Sequence, residues 1–237
     1  MNASAELLAT IRSKGYWRIV IRPVVYGREV LSVSECETLI EASRVELRGW
    51  DFPHTSRRQD DKSGHAPCGS HYEWWVDSGH HKEITRLYRS AQFIHLRAFW
   101  EDWLDPNWHG SLAKQVKPGE ALAIGNGINQ IAEIVAFTAR LAKDEAFGKG
   151  VSIQIEVHNT KGRTLWADGD RVPFIEPRRT EAKEFSLIRE LQTVALIGDP
   201  VDITLGLVIE LFEHYGWSDA PKWSLKDNIK QYLSRHT

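Results

Sequence analysis

Several arginines and tryptophans occupy alternate positions in segments whose patterns predict β-strands, and this combination could bind an anionic or planar ligand. Guanidinium groups hold phosphate or carboxylate through paired hydrogen bonds, and indole rings stack on planar groups. If the strands align, one sheet face presents Arg18, Arg22, Arg48, Trp50, Glu73, Trp75, Asp77, His95, Arg97, Glu156 and His158. The predicted ligand-binding residues are Arg18, Arg48, Trp50, Trp75 and Arg97. The alternative is a solvated face whose opposite charges neutralise one another.

Histidines and carboxylates form a second set, concentrated between His54 and Glu83. Imidazole and carboxylate groups bind zinc, manganese or iron, and either can act as a general base. The chain contains neither an HExxH motif nor zinc-finger spacing, so no metal is assigned and the cofactor is unknown. The catalytic residues of a metal-dependent hydrolase, acting as a phosphodiesterase or nuclease, would be His71, Glu73, Asp77 and His95.

The glycines of EALAIGNGINQ, residues 120–130, precede a helical pattern and could expose backbone amides to a phosphate. The segment lacks the lysine of GxxxxGK[ST] and is one glycine short of GxGxxG. We interpret it as the start of a helix. The chain also lacks a GxSxG elbow, and neither cysteine has a catalytic context. Whether the protein is an enzyme does not follow from these motifs.

Most of these side chains lie in residues 71–103, where the pattern predicts a strand, a helix and a second strand. Residues 71–77 alternate in polarity, Gly79 breaks the extended run, and residues 91–103 alternate again. Between them, Ile84 and Leu87 stand at helical spacing, which predicts a short helix over residues 80–89.

A similar strand–helix–strand unit is predicted over residues 16–52. Pro23 cannot donate to a ladder, so the strand over residues 16–25 should end there or lie at a sheet edge. Ser32 or Ser34 would cap the following helix, and residues 45–52 would form the next strand. The polar segment over residues 55–70 predicts a mobile loop.

The second half of the chain shows the longest helical pattern. Apolar residues with a 3.6-residue period predict a helix over residues 121–147. The later predicted elements are a strand over 151–158, a hairpin partner over 163–167, a strand over 185–194, and helices over 200–216 and 224–235.

Interleaved strands and helices predict an α+β fold, with a mixed, largely antiparallel sheet covered by helices, a long central helix and a helical C-terminus. Because no linker-like segment divides the chain, we predict one compact domain over residues 1–237. Its substructure would be two strand–helix–strand units in residues 1–112 and a helix–hairpin–helix unit in residues 113–237.

The overall composition narrows the classes of partner. A net charge of −2 provides no general attraction to nucleic acid or anionic membranes. The N-terminal residues lack a signal-peptide pattern, and no apolar run approaches the roughly 20 residues of a membrane helix. Two cysteines are too few for a disulfide framework, so a reducing cytoplasm is expected. Ten tryptophans, six of them between Trp50 and Trp108, favour a core or a binding surface.

These observations favour a cytoplasmic binding or adaptor module that uses the Arg/Trp-rich sheet face. A protein partner is favoured over nucleic acid, because nucleic-acid binding would require a surplus of basic residues. The metal-dependent hydrolase is the alternative hypothesis. The sequence does not determine the oligomeric state.

Overall fold

The computed structural model describes residues 3–25, 27, 29–56, 58–109, 116–169 and 171–234. Its helices are α1 (Ala3–Arg12), α2 (Val33–Ser43), α3 (Pro106–His109), α4 (Ile124–Leu141), α5 (Thr193–Gly198), α6 (Pro200–Glu213) and α7 (Lys222–Leu233). Its strands are β1 (Tyr16–Pro23), β2 (Val45–Glu46), β3 (Asp51–Phe52), β4 (Ser63–Pro67), β5 (His71–Ser78), β6 (His81–Tyr88), β7 (Phe93–Ala98), β8 (Ala121–Ala123), β9 (Gly150–His158), β10 (Thr164–Trp166) and β11 (Glu184–Gln192). None of these helices has both the length and the apolar character needed to cross a membrane.

Seven strands form one antiparallel sheet in the order β11-β9-β1-β7-β6-β5-β4. The long helix α4 covers what we call the inner face, where Phe137 packs against Phe93 at 4.7 Å between ring centroids. Helix α1 covers part of the opposite, outer face, where Leu7 and Ile11 join a small core with Ile84. The predicted α+β class, with its long helix and helical C-terminus, is confirmed.

Local sequence signals account for the starts of α2 and α6. Ser32 caps α2 and forms a reciprocal capping box with Glu35, so two backbone donors are satisfied at once. Asp199 caps α6, where Pro200 occupies a first-turn position that needs no N–H. Helix α4 begins at Ile124 and ends at Leu141, inside the predicted limits. The predicted end of the last helix at residue 235 lies outside the described residues.

Strand β1 ends at Pro23, as predicted, but it lies in the middle of the sheet between β7 and β9. Of the two predicted alternatives, an end at Pro23 is the one found, and a central position is possible because β7 pairs only as far as Ile21. The proline therefore follows the last paired residue on that side, where its missing N–H costs no ladder bond. Since β9 and β11 extend the same sheet, residues 1–112 and 113–237 both contribute strands to it.

The helix predicted over residues 80–89 is wrong, because this segment forms strand β6 between β5 and β7. Ile84 is buried on the outer face and Leu87 on the inner face, both at 0% exposure. A strand buried on both faces can carry apolar residues three positions apart, which imitates helical spacing. Gly79, at φ 57°, permits the tight connection between β5 and β6.

Two segments next to this sheet also differ from prediction. Residues 45–52 form only the short ladder of β2 and β3, and the intervening turn contains Gly49 at φ 74°. We call residues 47–50 the Trp50 turn. The predicted loop over residues 55–70 contains edge strand β4, which pairs with β5.

The hairpin predicted between residues 151–158 and 163–167 is wrong. Strand β10 pairs in parallel with β8, whereas β9 lies between β1 and β11. The reason is length, because β11 matches β9 through nine residues and β10 comprises only three. Each additional ladder residue adds backbone hydrogen bonds and cross-strand packing.

Candidate functional site

The Arg/Trp-rich face predicted from the sequence is divided between the two faces of the sheet. Because Trp17 pairs with Arg97 and Arg18 pairs with Leu96, Arg18 and Arg97 point to opposite faces. Arg97 lies on the inner face with His95, whereas Arg18 lies on the outer face. The predicted set therefore does not form one surface.

The outer-face members are held by neighbouring side chains. Arg18 forms an ion pair with Glu156. Trp75 packs with the small core under α1 and lies directly over Gly64, where an added Cβ would approach the indole ring to 2.2 Å. Its indole N–H is buried and has no partner among the described residues. Trp75 is therefore a packing residue and presents no free ring to a ligand.

The four residues of the hydrolase hypothesis are also separated. His71, Glu73 and Asp77 share the outer face of β5, where Glu73 pairs with Arg86 and Asp77 with Lys82. His95 lies on the inner face, with its Nδ1 at 2.9 Å from the Thr85 hydroxyl. No group of three histidine, cysteine or acidic side chains in the described ranges could hold a metal ion.

The structure instead places a group of polar side chains, all buried except the partly exposed Arg48, between the inner face, α4 and α7. We call it the central polar cluster. It comprises Arg48, Glu83, His95, Arg97, Glu101, Asn126, Gln130, Glu133 and Tyr232. Charged side chains are almost never buried unless they are paired, so such a concentration inside a core makes this cluster the candidate functional site.

Glu133 of α4 is the centre of this cluster, with 1% of its side chain exposed. Arg48 donates to it from Nε at 2.7 Å and from Nη2 at 2.8 Å, and the Tyr232 hydroxyl donates at 2.9 Å. Arg48 also donates from Nη1 to Asn126 at 2.9 Å. This bidentate arrangement is the geometry that an arginine–carboxylate pair favours.

Arg97 lies beside this pair, and its guanidinium group is used much less. Its side chain is 10% exposed, and its ion pair with Glu133 is 3.7 Å long. Among the described residues it makes no side-chain hydrogen bond, whereas a guanidinium group carries five N–H donors. Arg97 is therefore a largely buried cation whose guanidinium N–H groups find no hydrogen-bond acceptor among the described residues.

Four further atoms of the cluster are buried without a hydrogen-bond partner in the described part of the chain. They are Glu83 Oε2, His95 Nε2, Glu101 Oε2 and Gln130 Nε2. Glu83 and His95 face each other at 3.3 Å, outside hydrogen-bond geometry. Burial raises the pKa of Glu83, and it holds the pKa of His95 well below its ordinary value. Both effects favour uncharged forms and leave the arginines as the main charges beside Glu133.

Glu101 gives this region a pH-dependent contribution to stability. Burial raises its pKa to about 7, so the folded chain holds this proton more tightly than the unfolded chain does. The resulting stabilisation is complete below the unfolded pKa and is lost as the pH rises through the folded pKa. As the pH rises from about 5 to about 8, we expect Glu101 to lower the free energy of unfolding by about 2–3 kcal/mol.

Urea unfolding at both pH values checks this prediction, with Glu101→Gln as the test and exposed Glu46→Gln as the matched control. The Glu101 variant should lose less stability than the wild type between the two pH values, and the control should follow the wild type. Equal losses in all three proteins would contradict the prediction.

Trp50 closes one side of the central polar cluster. Its ring is stacked between His54, at 4.0 Å between ring centroids, and His81, at 4.3 Å. Its indole N–H points toward Glu83 at 3.5 Å. Because both ring faces are covered, Trp50 acts as a wall of the cluster. A ligand could stack on the Trp50 ring, as predicted from the sequence, only if the Trp50 turn moved.

A cleft of about 570 Å³ opens on the other side of this wall. Trp50 and Val76 line it, and Val76 pairs with Glu83 across β5 and β6, so the cluster lies directly behind the cleft. The cationic side chains that line it are Arg44, Arg58 and Lys62. His54 also lines the cleft and is hydrogen-bonded through Nδ1 to Asp51.

The sequence contained one signal for this cluster that the analysis of motifs missed. Asn126, Gln130 and Glu133 are spaced by four and three residues, which places three polar side chains on one face of α4. All three are buried. Polar side chains aligned on a buried helix face require polar partners opposite them. The partners, among them Glu83 and Tyr232, come from distant segments and have no common motif.

Comparison with protein-family models, with curated proteins and with solved structures gave no match for this chain.

Proposed function

We propose that the protein is a cytoplasmic binding module that accepts an acidic side chain of a partner protein at Arg97 of the central polar cluster. The observation that carries this proposal is the contrast between two neighbouring arginines. All three guanidinium nitrogens of Arg48 donate to Glu133 or Asn126, whereas Arg97 has only a 3.7 Å ion pair. A carboxylate would supply the acceptor that the Arg97 fork lacks.

The electrostatics of the cluster support an anionic ligand. Two arginines flank Glu133, while burial raises the pKa of Glu83 and so favours its neutral form. A charge-assisted bond in a buried site is stronger than one at the surface, because water screens it less. The cleft is lined by Arg44, Arg58 and Lys62 together with Asp51 and Asp60, which leaves a small positive surplus that would favour the approach of an anion.

The dimensions of the site support a protein partner over nucleic acid. Arg97 is a single guanidinium group whose side chain is only 10% exposed, so it can meet one inserted acidic side chain and not an extended row of phosphates. Nucleic-acid binding usually neutralises several phosphates along an exposed basic surface, and this chain has a net charge of −2. The free thiols of Cys36 and Cys68 are compatible with the reducing cytoplasm.

Calorimetric titration with a capped pentaglutamate peptide tests the proposal. We expect binding that weakens as salt rises, and a loss of at least tenfold in affinity for Arg97→Gln. Arg97→Lys should be intermediate, because it keeps the charge but not the fork. Arg18→Gln is the matched control, since Arg18 lies on the outer face and should leave binding unchanged.

Two results would contradict the proposal. One is equal binding of the peptide by wild type and by folded Arg97→Gln, with folding checked by circular dichroism. The other is binding of a single-stranded oligonucleotide in place of the peptide. If neither result is found, capture of partners from a lysate by the same variants would identify the natural ligand.

A second candidate function, hydrolysis, is favoured by one observation in the cleft. Asp51 accepts a hydrogen bond from His54 Nδ1, which leaves Nε2 as the nitrogen that could remove a proton from water. Burial would raise the pKa of Asp51, but the hydrogen bond from His54 and the charge of Arg44 lower it overall, so the carboxylate stays ionised. Turnover of ester or phosphodiester substrates that disappears in His54→Asn would favour this candidate over a binding module.

A further inference from the structure

The two edges of the seven-stranded sheet are protected to different extents. Strand β4 forms one edge and has only five residues, with a glycine inside it and Pro67 at its end. Strand β11 forms the other edge, has nine residues without proline or lysine, and pairs one-to-one with β9 over its full length. Short strands, prolines, bulges and charged side chains are the usual devices that prevent edge pairing. Of these, β11 has only the charged residues Glu184, Arg189 and Glu190, and Arg189 Nη1 donates to the outward-pointing Ile188 carbonyl at 2.8 Å, a bond that a pairing strand would replace.

The backbone of β11 presents alternate residues to the open side of the sheet. The Thr193 N–H donates to the Lys149 carbonyl at 3.0 Å and continues the β11–β9 ladder by one step. Hydrogen-bonded and non-hydrogen-bonded pairs alternate along an antiparallel ladder, so the odd-numbered residues of β11 bond to β9. The residues whose backbone groups point away from β9 are Glu184, Ser186, Ile188, Glu190 and Gln192.

We propose that β11 is a dimerisation surface for a second copy of this chain, paired antiparallel about a two-fold axis at Ile188. In this register Glu184 faces Gln192, Ser186 faces Glu190 and Ile188 faces its own copy. Ile188 is 52% exposed in the single chain and would be covered by its symmetry mate. A self-complementary strand of this kind forms a closed two-fold interface, and both sheets become one continuous sheet.

Charge selects this register over its two neighbours. Moving the two-fold axis from Ile188 to Leu187 places Glu184 of each copy opposite Glu190 of the other. Moving the axis to Arg189 places the Arg189 side chains of the two copies opposite each other. Like charges directly opposite each other destabilise a pair of strands, so the register centred on Ile188 is the one that avoids both repulsions. This complementarity favours a second copy over an unrelated strand as the partner.

Sedimentation equilibrium at micromolar concentration tests the interface. We expect a dimer for the wild type. For Ile188→Lys we expect a monomer, or a dimer dissociation constant at least tenfold higher. Ile175→Lys is the matched control, because Ile175 is an exposed isoleucine that lies outside the sheet, and this variant should remain a dimer. A monomeric wild type, or a dimer unaffected by Ile188→Lys, would overturn the proposal.

Disulfide trapping tests the register, with Cys68→Ser as background to remove the exposed native thiol. Ile188→Cys should cross-link two copies, because facing Cα atoms would be about 5.5 Å apart, within the span of a disulfide. Ser186→Cys should not, since it would face Glu190. Cross-linking of Ser186→Cys but not of Ile188→Cys would overturn the proposed register.

Discussion

Replacing Glu133 with alanine is expected to destabilise the protein by about 3–5 kcal/mol, because it leaves two cations, 10% and 23% exposed, without their counter-charge. Its partner Arg48 is bonded to it at two atoms, Arg97 approaches at 3.7 Å, and the Tyr232 hydroxyl would lose its acceptor. The loss should exceed that of an ordinary cavity because Arg48 loses both of its bonds to the carboxylate and Arg97 loses its ion pair.

Urea unfolding at neutral pH measures this effect. Glu133→Gln separates charge from packing, since it keeps the side-chain shape and should still cost most of the stability. Glu210→Gln is the matched control, because the Arg189–Glu210 pair has both side chains 33% exposed and should contribute no more than about 1 kcal/mol. Equal, small effects for Glu133→Ala and Glu210→Gln would contradict the central role of Glu133.

Replacing Asp102 with alanine is expected to cost a similar amount, about 3–5 kcal/mol. Its carboxylate is buried and accepts hydrogen bonds from both terminal nitrogens of Arg163. It also accepts from the backbone N–H of Gly15 at 2.8 Å and of Gly119 at 2.6 Å. One side chain therefore connects the start of β1, the approach to β8 and the residue before β10.

The same denaturant measurement applies to Asp102→Ala, with Asp219→Asn as the control. Asp219 also pairs with an arginine, but its side chain is 74% exposed, and its removal should cost well under about 1 kcal/mol. Arg163 is 2% exposed, so it would remain in the core as an unpaired cation. A loss below about 1 kcal/mol in Asp102→Ala would show that water or another group replaces the carboxylate.

The site itself was only partly predictable from the sequence. Arg48, Trp50 and Arg97 were identified from residue type and strand alternation, and the structure places these three around Glu133 and Glu83. Arg18 and Trp75, selected by the same rule, lie on the outer face. Alternation within a strand assigns relative faces correctly, but it does not relate the faces of one strand to those of another.

The sequence by itself determined the α+β class, the long helix and the strand over residues 150–158, because these depend on local periodicity and capping. Tertiary structure alone decided the rest. Residues 81–88 became a strand because both of its faces could be buried, and β10 paired with β8 because the longer β11 occupied the edge of β9. The central polar cluster likewise depends on register and on contacts between residues as far apart as Arg48 and Glu133, which no local pattern encodes.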